Sequence, residues 1–236
     1  MSLAAALLML AAGPSTDPVD GPRLGSRVQP QARVQMNAAG EQNPLAVYRF
    51  LDCAATRRPE RAQRILDTRT EDGLREASGA LHDVQRCNLG AYVAEMADIA
   101  VFDVDSGSMR GLLAEIFLKR TGKAASLTPL PIQRTYDRDW YAMTGRARQL
   151  DEMATCVADT DPAGISAVLN QEIGSPEEKT AFSKLVGSLG PCLATGYKLT
   201  ADRLALRAVL AEALYHRAFD PASAAPAAAP QAESKL

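Results

Sequence analysis

Apolar positions recur with the helical period along most of this chain. Met109, Leu112, Leu113, Ile116 and Phe117 fall at i, i+3, i+4, i+7 and i+8, and Leu206, Val209, Leu210, Ala213 and Leu214 repeat that spacing. Each set predicts an amphipathic helix whose apolar face, somewhat over ~100° wide, packs on a core. Upstream, Asn43-Pro44 starts a helix carrying Leu45, Val47, Tyr48, Leu51 and Cys53. Pro59 opens a short second helix, and a third begins near Glu71 and runs to about Arg86. A longer helix from about Asp137 to Asp159 holds the single tryptophan, Trp140, and delivers Cys156. Asp161-Pro162 restarts the chain as Arg58-Pro59 does, and Ser175-Pro176-Glu177-Glu178 reads as a capping box. Gly190-Pro191 stops that helix. Thr200 is the expected cap of the last helix, and Ser106 or Ser108 that of the helix bearing Met109. The expected class is all-α.

The two closing helices share more than a stripe. "RGLLAEIFLKR" at 110–120 and "RAVLAEALYHR" at 207–217 both read R-x-x-L-A-E-x-x-x-x-R, which aligns Arg110 with Arg207, Glu115 with Glu212 and Arg120 with Arg217. A frame surrounds them. Cys53 and Cys156 are each followed at one fixed distance by a proline, Pro59 and Pro162. At a second fixed distance comes an aliphatic pair, Ile65-Leu66 and Val168-Leu169. The next cysteine, Cys87 or Cys192, falls 34 or 36 residues on. Order, residue type and spacing agree, so the expectation is two tandem copies of a small helical module. The period is about 100 residues, too long for a solenoid repeat. Copy 1 spans 43–120 and copy 2 spans 137–218, joined by a linker at 121–136. An insertion in copy 1 falls around 95–107.

Cysteine arithmetic follows the same frame. Four cysteines allow three pairings, and only Cys53–Cys87 with Cys156–Cys192 respects the duplication. No C-x-x-C knuckle of the kind that zinc sites use is present. Structural disulfides imply an oxidising compartment. The start of the chain agrees. Leu3–Ala12 is an apolar run followed by Gly13-Pro14, too short to span a bilayer, which needs about 20 residues. Residues 1–12 therefore read as a signal-peptide core, although the customary basic start is missing. Residues 13–42, rich in Pro, Gly, Gln and Asp, read as a flexible arm, and the Ala/Pro-rich 219–236 as a disordered tail. The expected location is periplasmic or secreted, with no transmembrane segment.

Composition narrows the function without naming it. Net charge is −2 and aromatics are 5%, so no basic field invites nucleic acid and the core rests on Leu, Ala, Val and Ile. There is no G-x-S-x-G, H-E-x-x-H or phosphate-cradling glycine loop. Of the two histidines, His82 reads as a helix-surface residue, and His216 as an exposed i, i+4 partner of Glu212. Glu115 and Glu212 could suggest a glycosidase-like pair. Each, however, lies about 140° from the centre of its apolar stripe, so both are expected on a solvated surface. "DVDSG" at 103–107 lacks the distal ligand of a calcium loop. No catalytic residue, cofactor or metal site is assigned. Arg120 and Arg217 fall on the centre line of the stripes and in the last helical turn. They are expected to bond carbonyls or a carboxylate of another helix, an anion site being the competing reading. The leading function is an exported interaction or structural module acting on another exported protein. A carrier of a small apolar ligand is the alternative, and an enzyme stands behind both.

Overall fold

Prolines set the path of the chain at two equivalent-looking corners. The computed structural model describes residues 44–82, Cys87 and residues 105–220. The expected leader at 1–12, the arm at 13–42, the Asn43 cap, the side chain of His82, most of the 95–107 insertion and most of the 219–236 tail lie outside the described residues. At the first corner, α1 (Pro44–Arg57) gives way to α2 (Pro59–Asp67) through Arg58, at φ −137° and ψ 60°. At the second, α5 (Arg148–Thr160) gives way to α6 (Pro162–Leu169) through Asp161, at φ −141° and ψ 60°. A residue before proline is driven out of the helical region, and the ring then presets the next helix. Asp161 adds a cap by accepting from the Gly164 N–H at 2.8 Å.

The remaining α-helices are α3 (Glu71–His82), α4 (Ser106–Thr121), α7 (Pro176–Leu189) and α8 (Arg203–Phe219). The described residues form eight α-helices with short 3-10 turns and no strand. Two disulfides, Cys53–Cys87 and Cys156–Cys192, tie α1 and α5 to segments that follow α3 and α7. Ser175 caps α7 by accepting from Glu178 N–H at 3.0 Å, while the Glu178 carboxylate takes the Gly174 N–H at 2.9 Å.

Several boundaries differ from the sequence reading. The helix expected from Asp137 begins only at Arg148. Trp140 sits instead in a 3-10 turn, Asp139–Met143, and Gly145 at φ 67° turns the chain before α5 can start. The caps of the closing helices are aspartates: Asp105 accepts from Ser108 N–H and Asp202 from Ala205 N–H, both at 2.8 Å. A carboxylate at the positive end of a helix outdoes the serines and Thr200 expected there.

Helices α4 and α8 form the centre. α1 and α2 pack on α4, α5 and α6 pack on α8, and α4 and α8 make the most extensive contact with each other. They meet at Gly111 and Ala208. A β-carbon on Gly111 would lie 2.2 Å from the Ala208 carbonyl oxygen and 2.4 Å from its Cα. Leu112, Leu113 and Ile116 of α4 and Val209, Leu210 and Leu214 of α8 join one core with Ile65, Leu66, Ile165 and Val168. The stripes are thus core, and both helices are buried on the opposite side as well.

Candidate functional site

The far faces of α4 and α8 combine small residues with charge. Gly111, Ala114 and Glu115 lie opposite the stripe of α4, and Ala208, Ala211 and Glu212 opposite that of α8. Small side chains allow the close approach, and the charges are enclosed by it. Arg110, Glu115, Arg207 and Glu212 are all 0% exposed. The expected solvated position of the two glutamates is therefore overturned. The helical-wheel angle placed them opposite the core, but another helix, not water, covers that side.

Each arginine works in two directions. Arg110 donates from Nη1 to the Ile65 carbonyl and from Nη2 to the Leu66 carbonyl at 3.1 Å, closing the last turn of α2. Its Nε reaches across to Glu212 Oε1 at 2.6 Å. Arg207 donates to the Val168 carbonyl at 3.2 Å and the Leu169 carbonyl at 2.9 Å, closing the last turn of α6. It then reaches Glu115 through Nε at 2.7 Å and Nη2 at 2.8 Å. The relation is reciprocal: α4 supplies an arginine to the glutamate of α8, and α8 an arginine to the glutamate of α4. A guanidinium suits this place because it satisfies free helix-end carbonyls and a carboxylate with one planar set of donors.

Further charges complete both ends. Lys119 donates to Glu115 at 2.7 Å, and Glu178 accepts from Arg207 at 2.6 Å. At the other end Arg146 donates to Glu212 Oε2 at 2.5 Å, to Asp151 at 2.9 Å and to the Gly107 carbonyl at 2.9 Å. Burial by itself would raise the Glu212 carboxyl, but the guanidiniums of Arg146 and Arg110 outweigh it and hold the group well below the usual carboxylate range. Burial raises Asp151 on balance, although Arg146 opposes it. Glu115 and Glu212, bonded to arginines and sealed from solvent, are not the open, water-facing pair of carboxyls that glycoside hydrolysis uses.

His216 departs from its expected exposed position. It is 3% exposed, stacks on Trp140 with ring centroids 4.5 Å apart and planes at 14°, and holds Nε2 3.8 Å from Glu212 Oε1. The segment bearing Trp140 covers the face of α8 on which His216 lies, and this burial removes the expected exposure. Among the other sequence-selected residues, Arg120 donates to the Asp52 carboxylate and to Thr56 Oγ1, each at 2.6 Å, across to α1. Arg217 donates to the carbonyls of Ala158, Asp159 and Thr128 and lies 3.5 Å from the Asp159 carboxylate. Neither joins the crossing of α4 and α8. Sequence reasoning missed Arg146 and Asp151, which carry no pattern, and assigned Glu178 only to its cap.

Outside this buried network, an open concavity of about 500 Å³ lies between α6 and α7 and is lined by Asp161, Gly164, Glu177, Ala181, Lys184 and Leu185 among others. Among the described residues no helix is long and apolar enough to cross a membrane, and no group of three metal-ligating side chains is assembled. Comparison with protein-family models, curated proteins and solved structures finds no match to this chain.

Proposed function

We propose that the chain is an exported interaction or structural module, built from one four-helix unit written twice and locked to itself. The observation that carries the reading is the reciprocal crossing of Arg110 to Glu212 and Arg207 to Glu115. It commits four buried charges, Arg110, Glu115, Arg207 and Glu212, to holding two halves together, and recognition falls to the outer surface. The duplication draws support from the matching corner dihedrals at Arg58 and Asp161. It draws more from the fact that Ile65-Leu66 and Val168-Leu169, paired by spacing alone, supply the carbonyls that the paired arginines bind. Export draws support from two disulfides in a chain with no free cysteine among its four.

Carriage of a small apolar ligand calls for a closed apolar cavity. The α6–α7 concavity is open and presents Asp161, Glu177 and Lys184 beside its apolar residues, which favours a protein surface over a greasy guest. Photocrosslinking from positions in that concavity, in cells producing the full chain, should give one adduct of defined mass. Native mass spectrometry of the purified chain should give the bare polypeptide. A retained small molecule with no protein adduct would reverse the order of the two readings.

A further inference from the structure

The charges beneath His216 are balanced without it. Arg110 and Arg146 face Glu212 and Asp151, two cations against two anions, all joined by hydrogen bonds of 2.9 Å or less. His216 borders this set through Glu212 and is sandwiched against Trp140, with Tyr215 edge-on at 5.4 Å. The charged groups acting on the imidazole come from every side: Glu212 on α8, Arg110 on α4 and Arg69 after α2. A neutral ring completes a neutral, closed cluster. A protonated ring adds one buried positive charge beside guanidiniums that already occupy both oxygens of Glu212.

The element laid over His216 is short and is fastened to α4, α5 and α8. The 3-10 turn Asp139–Met143 and the following Thr144–Ala147 carry both Trp140 and Arg146. Besides the indole stack and the Arg146 bonds, the segment is fastened by Tyr141 to Thr155 and by Thr144 to Asp151, both at 2.8 Å. Ser106 also donates to the Thr144 carbonyl at 3.3 Å. The partners under His216 and Arg146 are thus the same glutamate. A charge placed on the ring crowds Arg110 at Glu212 Oε1, and Arg146, which ties the end of the segment down, hangs on the other oxygen of the same carboxylate.

We propose that His216 and the Trp140 segment form a proton-sensitive latch, closed when the imidazole is neutral and released from α8 when it is charged. Burial and the guanidiniums of Arg110 and Arg69 lower the affinity of His216 for a proton, and Glu212 only partly restores it. The sign follows. A histidine whose folded value lies below its unfolded value of about 6.5 supports the closed state above that pH. The support declines as pH falls below it, because only the released ring accepts the proton. Histidine is the side chain whose ordinary titration falls in this window.

Trp140 is the only tryptophan, so its emission reports the latch directly. In the full chain, lowering the pH from about 8 to about 4.5 should red-shift the emission, with a midpoint below the ordinary histidine value of about 6.5. Far-UV ellipticity should hold through that step. His216→Phe, which keeps a stacking ring, should abolish the shift, and His82→Gln should leave it in place. Should His216→Phe fail to fold, proton NMR of the parent chain serves, with the His216 ring and the Trp140 indole N–H shifting together. A shift that survives in His216→Phe would assign it to Asp151 or another group and overturn the proposal. So would emission that stays unchanged, or a shift that coincides with loss of helix.

Discussion

Without contact with water, Arg110 satisfies two helix-end carbonyls and one glutamate, and Arg207 two helix-end carbonyls and two glutamates. Removing either arginine takes a donor from buried carbonyls and from a buried carboxylate, which Arg146 at Glu212 or Lys119 at Glu115 then serves without it. Arg110→Ala or Arg207→Ala should therefore lower the unfolding free energy by about 3–5 kcal/mol, measured by urea denaturation of the full chain. Lysine should not restore it, because one ammonium cannot span the planar set of acceptors that the guanidinium reaches. Replacing Arg110 and Glu212 together by apolar residues should cost less than the two single changes added, since neither charge is then stranded. A double variant as unstable as that sum would show that the residues act separately.

Between helices, the Gly111–Ala208 contact fixes how closely α4 and α8 approach. Gly111→Ala drives a methyl into the backbone of Ala208, which cannot swing aside as a side chain would, so the melting temperature should fall steeply. Gly187→Ala supplies the contrast. That residue is an exposed position inside α7 with nothing within 4 Å of a new β-carbon, so the change should stabilise by about 0.5–1 kcal/mol. If both variants melt alike, the close crossing is not what Gly111 provides.

The final arginines of α4 and α8 separate in the same way. Arg120 is a partly exposed partner of Asp52, worth about 0–1 kcal/mol. The Arg217 side chain is 6% exposed and serves three carbonyls, so Arg217→Ala should cost more, about 1–3 kcal/mol. Equal melting of Arg120→Ala and Arg217→Ala would contradict this. Periodicity places both residues identically, and only the packed neighbours tell them apart.

What the pattern of residues reveals follows from how local the cause is. Helix starts at Pro59, Pro162 and Ser175 depend on the chain next to them and are readable from it. The stripes of α4 and α8 are readable too, as three-dimensional core. The burial of Glu115 and Glu212 is not, because it depends on a second helix lying on the polar side. A sign of it was present: both far faces carry small residues, Gly111 and Ala114 or Ala208 and Ala211, where a solvated face favours long polar ones. The late start of α5 escaped for a similar reason. Gly145 adopts φ 67°, and beside the local bonds of Thr144 the contacts that hold Arg146 and Thr144 come from α4, α5 and α8.

Across the whole molecule the crossing makes each half depend on the other. The first four helices hold Arg110 and Glu115, the last four hold Arg207 and Glu212, and each ion pair needs one member from each side. Unfolding the last four helices alone would break both ion pairs at once and bare the far face of α4 to water. Partial unfolding is thus more costly than its share of the core suggests. Calorimetry of the full chain should accordingly give one transition, with the calorimetric enthalpy equal to the van't Hoff enthalpy. Removing the disulfide between Cys156 and Cys192, which closes a separation of 36 residues, should lower stability by about 3–4 kcal/mol in the chain-entropy model. Because the halves are coupled, Cys156→Ser with Cys192→Ser should displace that single transition as a whole and leave its shape intact. Two resolved transitions, with only the later helices melting early, would mean that the arginine–glutamate pairs join halves that fold independently.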